Sequence, residues 1–223
     1  LDLRIFTPLR WKPSHHLRLL AAADHGAGGL FGQAALAGGP DGYVVAFTTL
    51  RGLFVGRFSA EKRTGDRLRE IRLPRRPLVD PVCPVIARTP DRWYVLAVAR
   101  VGKTQGMGWL VSLDTQGRPA RSPVRVRLPR PALGGCPFVL VPQPGRLVLV
   151  GLRPSKPGAA TRRLFHLELT RDGRPAGRPV DHGPATELGG ALPVRGGVLM
   201  LWRGAREAGV ELTPVRQRKL RCR

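Results

Sequence analysis

The stretch LDTQGRPARSPV, Leu113–Val124, returns 56 residues later as LTRDGRPAGRPV, Leu169–Val180, with seven of twelve positions identical. A segment spelled twice at this distance marks one supersecondary unit, which buries its apolar face only by stacking on its neighbours. A second landmark keeps the same period. GYVVAF begins at Gly42, RWYVLAV at Arg92, RLVLVGL at Arg146 and GVLMLW at Gly197, in steps of 50, 54 and 51 residues. Each run is apolar without alternation and rich in Val and aromatics. That is the pattern of a strand covered on both faces.

The surrounding residues repeat as well. A short apolar stretch (QAALA, PVIA, PFVLV, ALPV) and a tight turn precede each run. A third strand follows (LFVGRFS, GWLVSLD, RLFHLELT, VELTPV), then the duplicated turn, pivoting on Gly65, Gly117 and Gly173. Gly accepts positive φ, and Pro after Arg pre-sets an extended exit. A fourth strand (RLREIRL, VRVRL, RPV) closes the unit. VRVRL alternates apolar and charged residues, so one of its faces meets water. Apolarity therefore peaks early in the unit and falls toward its end, as it would if the first strands lay deep and the fourth at a rim.

Four-stranded units of about 50 residues match the blade of a β-propeller. In this pattern the chain resembles the degenerate propeller repeats of many bacterial proteins. The resemblance covers nearly the whole length but carries neither a recurring Trp-Asp signature nor a kelch Gly-Gly doublet. It implies an all-β domain over 1–223: closing strands in 1–23 and blades at 24–80, 81–135, 136–187 and 188–223. An N-terminal strand added to the last blade would remove exposed sheet edges. A five-bladed ring, a fragment of a larger propeller and a β-sandwich are the alternative folds.

In a propeller, the connections from each outer strand to the next inner strand gather at one end of the channel. The sequence puts Asp24, His25, Asp80, Cys83, Cys136, Asp181 and His182 in or beside such connections. Asp-His-Gly occurs twice, at Asp24–Gly26 and Asp181–Gly183, and Cys83 and Cys136 each precede a Pro. His, thiolate and carboxylate are zinc ligands, yet the spacing is that of the repeat. Asp and Gly also build turns with no ligand at all. The expectation is a channel-lining cluster that binds a protein or small ligand, with a metal-assisted enzyme at that end as an alternative. A Cys83–Cys136 disulfide would require the two Cα atoms to lie within about 7 Å. His15 and His16 are adjacent, which on a strand points them to opposite faces, and a loop is expected there.

Several chemistries lack their motifs. Gly26, Gly28 and Phe31 fail the dinucleotide fingerprint at its third glycine. Gly-x-Ser-x-Gly, HExxH and Cys-x-x-Cys do not occur. No cofactor is expected.

Net charge is +23, from 38 basic and 15 acidic residues, and all but five of the basic ones are Arg. Such a balance points to polyanionic partners: nucleic acid, acidic glycan or anionic lipid. A GC-rich coding bias enriches Arg, Ala, Gly and Pro together and is the competing explanation. The arginines favour the outer half of each unit, with Arg67, Arg69, Arg72, Arg125, Arg127, Arg174 and Arg178 as the expected polyanion contacts. Aromatic residues are not interleaved with them, which argues against base stacking. The 42% hydrophobic content excludes a disordered chain, and no apolar run reaches the roughly 20 residues of a membrane span. A monomer is expected. The chain opens on Leu1, so an upstream signal peptide, tag or domain is expected, and a secreted or periplasmic location goes with the first of these.

Overall fold

A computed structural model describes residues 2–7, 10–18, 34–39, 42–49, 52–58, 68–74, 81–101, 105–129, 138–156, 159, 161–204 and 215–221. Strands β1 (Asp2–Thr7) and β2 (Arg10–Arg18) form an antiparallel hairpin. Four antiparallel sheets follow, each a simple meander in chain order. Blade 1 is β3 (Ala34–Gly39), β4 (Gly42–Thr49), β5 (Gly52–Phe58) and β6 (Arg69–Ile71). Blade 2 is β7 (Pro81–Arg88), β8 (Trp93–Val101), β9 (Gln105–Leu113) and β10 (Val124–Pro129). Blade 3 is β11 (Phe138–Gln143), β12 (Arg146–Pro154), β13 (Arg162–Thr170) and β14 (Val180–Ala185). Blade 4 is β15 (Glu187–Val194), β16 (Gly197–Arg203) and β17 (Val215–Arg221). No helix among the described residues is long and apolar enough to cross a membrane.

The unbroken apolar runs are the second strands, and their two faces go to different neighbours. On β8, Trp93, Val95, Ala97 and Ala99 pack toward blade 1 with Val44, Ala46, Leu53 and Val55. The alternate residues Tyr94, Leu96 and Val98 pack toward blade 3 with Leu147, Leu149, Phe165 and Leu167. On β12 the division recurs: Val148, Val150 and Leu152 meet Ala191, Val198, Met200 and Trp202 of blade 4. A strand side chain alternates faces at every residue, so burial on both faces requires the Val- and Leu-rich spelling. Fully burying each such side chain stabilises by about 1.5–3 kcal/mol. The first strands lie side by side in series, β3 by β7, β7 by β11 and β11 by β15. A buried amide crosses one of these seams, where Gln143 Nε2 donates to the Gly197 carbonyl at 2.7 Å.

The duplicated segment is one turn built twice. Gly117 N donates to Asp114 O at 3.0 Å and Gly173 N to Thr170 O at 2.9 Å, with φ of 74° and 79° at the two glycines. Asp114 N and Thr170 N each donate onward to the carbonyls of Arg118 and Arg174 at 2.8 Å. The bridges Leu113↔Pro119 and Leu169↔Pro175 then resume the ladder. This is a four-residue turn with a glycine bulge, a standard closure for right-twisted strands. Gly65 lies outside the described residues.

Four expectations change. The third strand of the last unit is β17, Val215–Arg221, which fills the register of β16 from Gly197 to Arg203, while residues 210–214 of VELTPV lie outside the described residues. The fourth strand of blade 3 extends from Val180 through Ala185, past the expected RPV. His15 and His16 sit on β2, paired with Ile5 and Arg4, and not in a loop. The N-terminal strands pair with each other, and the described strands of blade 4 are β15, β16 and β17 alone.

Candidate functional site

The expected channel-end cluster is not brought together among the described residues. Asp24, His25, Asp80 and Cys136 lie outside them, as does Arg67. Cys83 falls within the first strand of blade 2, where the register with β8 slips between Val82 and Val85. Asp181 and His182 lie on β14, the outermost strand of blade 3. The sequence placed them in a connection because VDHGPA neither alternates nor runs apolar. The pairing is made instead by backbone register, with Asp181 opposite Phe165 and Gly183 opposite Leu164.

His182 is the extra residue of the bulge between those two pairs. A bulge turns a side chain that would otherwise alternate away, and here the two imidazoles meet: His166 Nδ1 lies 2.7 Å from His182 Nε2, with the rings stacked at 5.0 Å. One ring donates and the other accepts, so the contact excludes double protonation. Burial lowers the His166 pKa, against an opposing pull from Glu168. Asp181 accepts from Arg163 Nε at 2.8 Å, Arg153 Nη2 at 2.7 Å and the Gly183 amide at 2.8 Å. The Arg163 hydrogen bond leads in holding its carboxyl far below the usual carboxylate range. Asp181 is thereby a cross-strand clamp. Among the described residues, no three His, Cys, Asp or Glu side chains gather to hold a metal ion.

The arginines named as polyanion contacts are exposed where they are described. Arg125 and Arg127 are exposed on β10 while Val126 and Leu128 between them are buried. Arg69 on β6, Arg72, Arg174 and Arg178 are exposed as well.

The duplicated turns lean onto the preceding blade. Arg57 of blade 1 donates to Gln116 Oε1 in the blade 2 turn at 2.8 Å. Arg121 of blade 2 donates to Asp172 Oδ1, the matching position of the blade 3 turn. Beside that second contact a cleft of about 380 Å³ opens between blades 2 and 3. Leu110 and Val124 give its apolar wall, and Ser112, Ser122 and Asp172 supply oxygen atoms. Arg121, Arg171 and Arg174 also line it. Arg171 comes only within 4.0 Å of Asp91, and Arg174 has no ion-pair partner among the described residues. The cleft can therefore hold an anionic group against planar donor forks. The sequence points to Arg174 but not to the cleft. The signal available was Arg171 and Arg174 flanking the Gly173 turn, but nothing in the spelling told which blade the turn leans on.

Consecutive antiparallel meanders, packed face to face in series with their first strands adjacent, make this an all-β chain of the β-propeller class. No protein-family model matches the sequence, and no curated protein matches it. Among solved structures it is similar to an exo-1,5-α-L-arabinanase from a bovine ruminal metagenomic library, at 12% identity over 83% of this chain and 72% of that one, TM-score 0.45. It is similar to an endo-arabinase from Bacteroides thetaiotaomicron at 13% identity over 85% and 80%, TM-score 0.49. An α-L-arabinofuranosidase from Podospora anserina is similar at 10% identity over 83% and 72%, TM-score 0.46.

Proposed function

We propose that this protein is a binding module that holds polyanions along its propeller rim. The observation that carries the reading is the alternation on β10, which buries Val126 and Leu128 and presents Arg125 and Arg127 to water. That presentation stands beside the arginine-lined cleft of blades 2 and 3, on a chain of net charge +23. The channel-end alternative is weaker, since Asp181 and His182 are engaged at the rim with Arg163, Arg153 and His166.

Counterion release makes such binding steeply dependent on salt. Heparin and duplex DNA are expected to bind near physiological ionic strength and to be released as salt rises. Replacing both Arg125 and Arg127 by Gln should lower the slope of log K against log salt by about one for each lost contact. Binding that stays tight at about half-molar salt would overturn an electrostatic rim.

A further inference from the structure

Resting on that rim reading, we infer that the cleft between blades 2 and 3 is a subsite for one unit of an acidic glycan, a sugar that carries a sulfate or carboxylate. Its volume of about 380 Å³ lies at the lower end of the roughly 300–1,000 Å³ spanned by small-molecule pockets. The site is larger than a single oxyanion needs, and its lining is mixed. The guanidiniums of Arg171 and Arg174 offer paired N–H donors to sulfate or carboxylate oxygens.

Asp172 decides the ligand class. The Asp172 carboxylate, ion-paired with Arg121, keeps lone pairs that accept hydrogen bonds from hydroxyls, which a bare sulfate does not offer. Ser112 and Ser122 add hydroxyls that both donate and accept. A ligand that satisfies all of these presents acid and hydroxyl groups on the same unit. Val124 offers a non-aromatic surface for its C–H face, and no aromatic ring among the described residues lines the cleft. Single-stranded nucleic acid draws about 1–3 kcal/mol per base from stacking on such rings, and here it finds none.

The test compares a sulfated heparin tetrasaccharide, an oligogalacturonate and a thymidine oligonucleotide of matched charge, by calorimetry near physiological salt. The double variant Arg171→Gln/Arg174→Gln is expected to lose about tenfold in affinity for at least one saccharide while changing oligonucleotide binding only as much as Arg125→Gln/Arg127→Gln does. Which saccharide responds separates sulfate from carboxylate. Asp172→Asn gives a test of opposite sign. It adds net positive charge, so it should strengthen the oligonucleotide, yet it replaces a charged hydroxyl acceptor by a weaker neutral one and loosens the Arg121 pair, so it should weaken the saccharide. If Asp172→Asn strengthens both ligands, or if the two double variants act alike on all three, the subsite is refuted and the rim reading stands. If the wild-type protein binds none of the three, both fall. The substituted side chains are exposed, and unchanged thermal melts will show that the variants remain folded.

Discussion

Gly145 and Gly173 separate two costs that usually travel together. Both hold positive φ, 75° and 79°, where an L side chain costs roughly 1–2 kcal/mol. A Cβ at Gly145 would meet nothing within 4 Å, whereas at Gly173 it would meet Leu110 Cδ2 at 3.1 Å and Val124 Cγ1 at 3.3 Å. Gly145→Ala should therefore cost about the backbone amount alone, and Gly173→Ala distinctly more, because the blade 3 turn must lift off blade 2. Urea denaturation of the two variants checks this, and equal costs would show that the turn is not seated on its neighbour. Asp181 gives a second residue-scale expectation. Its folded pKa is depressed, chiefly by the Arg163 hydrogen bond. The stability it contributes is present above the ordinary value of 3.8 and is lost as pH falls below it. Asp181→Asn should lower Tm at neutral pH and approach the wild-type melt in acid. A Tm deficit that stays constant as pH falls would remove the ion-pair explanation.

At the scale of the element, His166 on β13, half-buried beside the β14 bulge, gives a pH response of the same sense but in a higher window. His166 is pushed below its ordinary 6.5 by burial, so its contribution is intact above that pH and declines as pH drops through the folded value. Replacing His166 by Gln should flatten the fall in stability between neutral pH and about pH 5. Histidine ring NMR resonances of the native protein should show one imidazole titrating below 6.5. A His166 that titrates at or above 6.5 would contradict burial as the dominant influence on this ring. The strands and turns around this pair differ in how far the sequence revealed them. β8 and β12 were legible because burial on both faces demands unbroken apolar spelling. The Gly117 and Gly173 turns were legible because positive φ demands glycine. β14 is not legible in the sequence, because only its register with β13 makes it a strand, and its residues satisfy their polar groups with arginines from β12 and β13. The cleft was illegible for a related reason. Its walls come from residues 110–124 and 171–174, and a repeat shows that units are alike without showing how one leans on the next.

Across the molecule, stability follows the order of the stack. Blades 2 and 3 are covered on both faces, through the cores shared with blades 1 and 4. The first strands of blades 1 and 4 carry Leu36 and Leu192, 52% and 64% exposed, where β7 and β11 bury Val85, Ala87, Phe138 and Leu140. Where units touch mainly their neighbours, local opening costs least at a face that, among the described residues, no neighbouring blade covers. Amide hydrogen exchange should therefore find β8 and β12 protected nearly to the global unfolding limit, and β3 and β15 exchanging well before them although both are hydrogen-bonded in antiparallel pairs. A core truncation at Leu149, buried between blades 2 and 3, is expected to cost about 2–5 kcal/mol and to erase the difference by lowering the limit for the whole stack. Protection of β3 and β15 equal to that of β12 would mean that further contacts cover the two outer blades, and that the series of sheets unfolds as one closed unit.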